Sequence, residues 1–238
     1  MRNWEVIDTG RASAQKNMDI DQALLNDASN LKNPTIHFYE WEGPCATYGY
    51  FSKPEDFLDL SQVKKYGLNL GRRPTGGGII FHLTDLAFSV IVPACHPSYS
   101  LNTLDNYALI NRAVIEAIHN FTGEHLGANL FSRANFKPDP LSNKFCMAKP
   151  TVYDVMIDGK KVGGAAQRRT KHGFLHQGSI SLALPPKKLL NNILIQKEEI
   201  LKAMESCSYT LLKDEISTDT LQNARKTLRN LLAESLQR

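Results

Sequence analysis

The sequence predicts an α+β fold, a mixed β-sheet flanked by helices. Three observations carry this. Short runs of β-branched and aromatic residues recur through the first 184 positions. Apolar stripes at three- and four-residue steps mark helices among and after them. The order reads helix, strands, helix, strands, helices, not the regular alternation of βαβ units. The chain has 238 residues, 42% hydrophobic and 22% charged, which argues against a disordered or fibrous protein. That length buries a core without staples.

Residues 17–28 read as an amphipathic helix with Met18, Ala23, Leu24 and Leu25 as its stripe and Asn17 or Asp19 as its cap. Residues 34–41 read as a strand, broken by Gly43-Pro44, with a second short strand over 46–51. A glycine-rich turn at 72–78 precedes strands at 79–82 and 87–92. Leu104, Tyr107, Ile110, Val114, Ile118 and Phe121 predict a helix over 103–121, ended by Gly123. Residues 122–149, with Pro138 and Pro140, read as a loop, and 132–150 are expected to order on ligand binding. A strand over 152–157 enters a hairpin at Asp158-Gly159 and returns from Lys160. A strand over 174–184 ends at Pro185-Pro186. Helices follow at 196–204 and 219–236, the last with Leu221, Ala224, Leu228, Leu231 and Leu232 as its stripe. Residues 1–184 form the main domain, and 185–238 a short helical extension packed on it.

The formal net charge is +4, which suggests an acidic partner without requiring nucleic acid. No Lys/Arg run interleaved with aromatics supports a nucleic-acid-binding protein. Cys45, Cys95, Cys146 and Cys207 form no CxxC pair and read as reduced thiols. The histidines are scattered, so no metal site is predicted. The first residues form no apolar signal core, and the longest nearly apolar run, 86–95, is about half of a membrane span. A cytoplasmic protein without membrane contact is expected.

Four segments could carry chemistry. Arg72-Arg73-Pro74-Thr75-Gly76-Gly77-Gly78 combines uncovered amide N–H groups with two guanidinium groups and suits an anion; a tight turn with solvated arginines is the alternative. It matches neither the Walker loop nor the dinucleotide fingerprint. After the hairpin, Lys161 precedes the small residues Gly163, Gly164 and Ala165, which admit a close ligand or simply pack. His176, Gln177 and Gly178 could bind a polar group or end a sheet. Cys146 lies among lysines that would raise its thiolate fraction, whereas the other three cysteines read as filler.

Taken in order, these segments resemble the lipoate–protein ligase A and octanoyl transferase family, the biotin/lipoate catalytic-domain group. The likeness runs from Trp4 to about Leu184. It includes residues 7–10, 17–25, 38–41 and 49–51. Arg72 to His82 resembles the family's Arg-Arg-x-Ser/Thr-Gly-Gly segment, and Lys160 to Arg168 its Lys-Ile-x-Gly-Ser-Ala-Gln segment.

The resemblance implies a catalytic domain like that of class II tRNA synthetases and biotin–protein ligase. It implies an enzyme that joins lipoyl or octanoyl in amide linkage to one lysine of an apo lipoyl domain. Such domains belong to 2-oxoacid dehydrogenase complexes and the glycine cleavage H protein. Lys161 is the family's lysine before the Val/Ile-x-Gly step, and its ammonium would stabilise the tetrahedral oxyanion. Arg72, Arg73, Thr75, Gly76, Gly77, Gly78, His82, His176 and Gly178 would bind the acyl group or adenylate. Gly163, Gly164 and Ala165 would line the acyl slot.

Two donors compete. A ligase takes lipoate, ATP and Mg²⁺ through an acyl-adenylate. A transferase takes octanoyl from acyl carrier protein onto a cysteine. The triple glycine resembles the ligase form, and the loop's suitability for phosphate favours it. Cys146 lies where one transferase branch has its nucleophile, and His176-Gln177 inverts the transferase Gln-His order. No separate C-terminal accessory domain like that of longer ligases is expected, which does not separate the two, since some ligases lack it too. A biotin–protein ligase and a binding module that lost the reaction are further alternatives; the first differs in its loop, the second conflicts with retention of Lys161, both arginines and the glycines.

Overall fold

The computed structural model describes residues 3–123, 126–131, 152–212 and 216–238. The chain begins with β1 (Glu5–Ala12), α1 (Ala14–Asn26), β2 (Thr35–Trp41) and β3 (Cys45–Tyr48). It continues through α2 (Leu60–Lys65), β4 (Asn69–Arg72), β5 (Ile79–His82), β6 (Asp85–Pro93) and α3 (Thr103–Thr122). Strands β7 (Asn129–Leu130), β8 (Val155–Ile157), β9 (Lys160–Thr170) and β10 (Gly173–Ser181) follow. Helices α4 (Lys187–Ile193), α5 (Lys197–Cys207) and α6 (Thr218–Gln237) close it.

Seven strands make one sheet in the order β1-β2-β6-β10-β9-β8-β7. Strands β1 and β2 are parallel, and every other neighbouring pair is antiparallel. A smaller sheet has the order β4-β3-β5. The mixed sheet with flanking helices is the expected fold. Among the described residues no helix is long and apolar enough to cross a membrane.

Alternation along β10 sorts the two faces of the large sheet. Phe174 and Ile180 join the main core with Phe38 and Phe88. Helices α3 and α6 cover that face with Ile110, Val114, Ile118, Leu228 and Leu232. Each fully buried aliphatic side chain is worth roughly 1.5–3 kcal/mol. Leu175 points the other way, to Leu25 of α1. Helices α4 and α5 pack on the small sheet, where Leu190, Ile193 and Met204 meet Ile79 and Phe81. Residues after 185 thus contribute to two separate apolar clusters.

Several boundaries differ from the sequence expectation for identifiable reasons. Helix α1 starts at Ala14 and is capped by the Ser13 hydroxyl, which accepts from the Lys16 N–H. Asn17 and Asp19 are therefore inside the helix and not its cap. Its buried line is Ala14, Asn17, Met18, Asp21 and Leu25, with Ala23 exposed. Strand β1 had no apolar signature because it is an edge strand with mostly exposed residues. Strand β8 begins only at Val155, because Tyr153 has φ 72°. The hairpin falls where expected, with Asp158 at φ 50° and Gly159 at φ 72°. Gly123 ends α3 in the left-handed conformation, also as expected.

His176 shares the core face with Phe174. It is fully buried between Phe88 and Tyr107. Burial pushes its imidazole down to about 3 from an ordinary 6.5. Between those values the unfolded chain binds a proton that the folded chain refuses. Unfolding free energy should therefore fall, as pH drops through that window, by about 1.4 kcal/mol per unit from this group. Urea unfolding at several pH values, compared with His176→Gln, reads the slope; parallel curves for the two proteins would show that the imidazole titrates normally.

Candidate active site

The glycine-rich turn follows β4 and wraps a buried guanidinium. Arg73 Nη1 donates to the Thr47 carbonyl and hydroxyl, both at 2.9 Å. Its Nη2 donates to the carbonyls of Gly76 at 3.0 Å and Gly78 at 2.9 Å. The Thr75 carbonyl accepts from the Tyr50 N–H and the Gly77 carbonyl from the Ser52 hydroxyl. Four successive carbonyls, 75 to 78, are thus each held by a protein donor, the Gly77 bond at an exposed position. A Cβ on Gly49 would lie 1.9 Å from the Gly77 oxygen, so the two backbones meet only because residue 49 is glycine.

The turn forms one wall of a cavity of about 390 Å³. Lys161 of β9 forms the opposite side. Its Nζ pairs with Asp154 Oδ2 at 2.7 Å, and both side chains are buried. A Cβ on Gly164 would come within 2.4 Å of Lys161 Cε, so glycine there leaves the lysine its place. Leu104 and Tyr107 of α3 supply an apolar wall, and the Tyr107 hydroxyl accepts from the Gln167 N–H. A larger cleft of about 810 Å³ beside α6 adjoins this cavity at Tyr39, His82 and Ala87.

Two buried polar chains run beneath the cavity. In one, Asp21 accepts from His37 Nδ1 at 2.7 Å, Ser89 Oγ at 2.6 Å and Gln177 Nε2 at 2.6 Å. Gln177 in turn accepts from the Thr75 hydroxyl at 2.7 Å. In the other, Asp85 is bonded to His82 Nδ1 at 2.8 Å and Ser179 Oγ at 2.7 Å. His82 Nε2 meets Thr47 Oγ1 at 2.8 Å, and its ring stacks on Trp41. Burial alone would raise the Asp85 carboxyl, but the charge and hydrogen bond of His82, the Ser179 bond and the charge of Arg225 outweigh it and hold it below the usual value.

Arg73, Gly76, Gly77, His82, Lys161, Gly164, Ala165 and Gly178 all line the cavity. Thr75 and Gly78 stand directly behind its wall through the bonds just given. Three of the expected residues do not line the cavity. Arg72 is exposed and stacks over Tyr50, because alternation at the end of β4 turns only Arg73 inward. Gly163 faces Val155 and Val114 in the core and does not line the cavity. His176 lies on the core face, and Gln177 takes the cavity side instead. Gly178 is glycine because the Phe88 ring would lie 2.3 Å from its Cβ. Cys146 and the segment 132–150 lie outside the described residues. Of the cysteines expected as filler, Cys45 is buried but Cys95 is exposed.

Sequence reading did not single out Asp21, Thr47, Asp85 or Asp154. For Asp21 a signal existed, since a polar residue on the buried line of a helix must find donors. Among the described residues no group of three His, Cys, Asp or Glu side chains could hold a metal ion.

Residues 13–228 match the lipoyl protein ligase A/B catalytic domain. The octanoyltransferase LipM of Anoxybacillus flavithermus is 37% identical over 197 residues, covering 79% of this chain and 68% of its own length. The octanoyltransferase LipM of Lysinibacillus sphaericus is 32% identical over 208 residues, covering 84% and 73%. Among solved structures, the bi-partite lipoate protein ligase of Thermoplasma acidophilum shares the fold over 99% of this chain and 84% of its own. The TM-score there is 0.68 at 23% identity.

Two substitutions follow from these networks. Lys161→Ala leaves the Asp154 carboxylate buried without this cation, at an expected cost of about 3–5 kcal/mol. Adding Asp154→Ala should return much of that stability while acyl transfer stays lost. Urea unfolding and a transfer assay on both proteins check this, and a Lys161→Ala protein as stable as the parent would contradict it. Asp21→Asn points an NH₂ at donors already in place. It should cost about 1–3 kcal/mol and raise KM for the acyl donor by loosening Thr75. An unchanged KM alongside lowered stability would separate Asp21 from the loop.

Proposed function

The chain belongs to the lipoyl protein ligase A/B catalytic-domain family, enzymes that attach acyl groups to lipoyl-domain lysines, and from that premise we propose that it is an octanoyl transferase. The carrying observation is its likeness, at 32–37% identity over about four-fifths of the chain, to octanoyltransferases. This replaces the ligase preferred from the glycine-rich loop alone. One feature of the site supports the change. Four of the five N–H donors of Arg73 are spent on Thr47, Gly76 and Gly78, so its guanidinium is not offered to a phosphate. Of the described cysteines, burial pushes the Cys45 thiol up to about 11, and neither Cys95 nor Cys207 lines the Lys161 cavity. The resemblance to one transferase branch then gives Cys146 as the cysteine to carry the acyl group.

The reaction runs in two halves. The Cys146 thiolate attacks the octanoyl thioester of acyl carrier protein, forming a new C–S bond, and the carrier sulfur leaves and takes up a proton. The ε-amine of the acceptor lysine then attacks the Cys146 thioester. The C–N bond forms, the amine gives up a proton and the Cys146 sulfur leaves. Both halves pass through a tetrahedral oxyanion. Lys161, fixed by Asp154, supplies positive charge beside it. The N–H groups of Gly76 and Gly77, without a partner among the described residues, supply donors from the opposite wall. Leu104, Tyr107, Gly164 and Ala165 offer the acyl chain an apolar surface that leaves room beside the lysine.

The donor is read by intact mass of an apo lipoyl domain. One reaction receives octanoyl-acyl carrier protein and the other lipoate, ATP and Mg²⁺. Octanoylation in the first, with a thioester on the enzyme that Cys146→Ser abolishes, is the expected result. Modification in the second alone would return the enzyme to the ligase reading.

A further inference from the structure

The cavity is bordered by an apolar and cationic rim that the mechanism does not use. Phe51 is 90% exposed and Leu101 82%. Tyr50 meets Phe51 edge-on and lies beneath two guanidinium groups, Arg72 at 4.6 Å and Arg168 at 5.4 Å from its ring. Arg169 donates to the Leu101 carbonyl on the α3 side, three residues before the cavity-lining Leu104. Among the described residues none of these three arginines has an ion-pair partner. Three other arginines, Arg11, Arg229 and Arg238, are ion-paired, whereas exposed Arg112, like these three, has no ion pair among the described residues. Exposed aromatics set among uncompensated arginines have the composition of a protein-binding hot spot.

The rim is also joined to the reacting site. The Tyr50 N–H donates to the Thr75 carbonyl at 2.8 Å, the Ser52 hydroxyl to Gly77 at 2.7 Å, and Arg168 to Pro74 at 3.3 Å. Whatever settles on Tyr50 and Phe51 therefore rests on the glycine-rich wall.

We propose that this rim docks the acceptor domain, an acidic protein that presents its target lysine beside an apolar spot. The proposal rests on the acyl-transfer reading above. The occupant follows from reach. A lysine side chain is short, so its amine meets a carbonyl near Lys161 only when its own domain sits on the rim. An acyl group delivered on a carrier's long flexible arm places no such demand on the carrier. Arginines with no ion-pair partner among the described residues match acidic side chains and speed encounter.

The test uses Phe51→Ser and Arg169→Glu, both exposed positions outside the cavity lining. Transfer of octanoyl is measured to an apo lipoyl domain and to hydroxylamine, a small nucleophile that needs no docking. Each variant should raise KM for the domain about tenfold, leave kcat within about twofold, and leave transfer to hydroxylamine unchanged. An unchanged KM for the domain overturns the proposal. So does a rise in KM for the acyl carrier instead, which would give the rim to the donor, or an equal fall with hydroxylamine, which would make the rim a prop for the loop. Titration calorimetry of the apo domain reads docking without turnover. Tenfold weaker binding by both variants, in a protein that acylates neither nucleophile, would keep the docking surface and discard the transfer reading; equal binding by all three proteins would discard the surface.

Discussion

A carboxylate buried completely, Asp21, constrains the rest of this structure. An unpaired charge there would cost several kcal/mol, so every lone pair must be met. The donors come from three strands: His37 of β2, Ser89 of β6 and Gln177 of β10. His37 passes the demand on to Thr9 of β1 at 2.8 Å. Helix α1 can therefore sit on the sheet in one register only. A shift of one residue along any of these strands would turn the donor to the other face. Gln177 then spends its carbonyl on Thr75, and the same constraint that seats the helix also fixes the glycine-rich turn.

The turn is held a second time, independently, by Arg73. With its carbonyl groups at 75 to 78 held by protein donors, the turn is left with amide N–H groups and a guanidinium whose donors are mostly bonded already. That distinction separates two readings of one motif. A glycine-rich stretch beside arginines looks made for phosphate when the side chains are imagined free. Once the guanidinium is committed to the backbone, what remains is a small set of fixed dipoles, suited to an oxygen that gains charge during acyl transfer.

Much of this was legible in the sequence. The stripes of α3 and α6, the Asp158-Gly159 hairpin and the placement of Lys161 beside small residues all followed from period and turn chemistry. The parity of β10 was also available. Phe174 and Ile180 are apolar at even positions, so counting in twos sends His176 into the core and Gln177 to the cavity. Arg72 and Arg73 part for the same reason. Asp154 was out of reach by any such count. The pairing of β8 with β9 shifts between Val155 and Met156, so Val155 faces Gly163 while Met156 faces Lys161. That irregularity brings Asp154 to the lysine, and no local pattern announces it.

The Lys161–Asp154 pair shows how such an irregularity becomes chemistry. A buried ion pair adds little net stability, because desolvation consumes most of the attraction. Its effect is on position. Asp154 fixes one side of the ammonium, Gly164 leaves it room, and the Lys161 carbonyl is tied to the Tyr209 N–H after α5. In the proposed reaction the charge is thus in place before any oxyanion forms. Reorganisation is then not needed at the moment of reaction, when it would be most costly. In the proposed reaction a lysine held in this way acts on the oxyanion as a fixed positive charge.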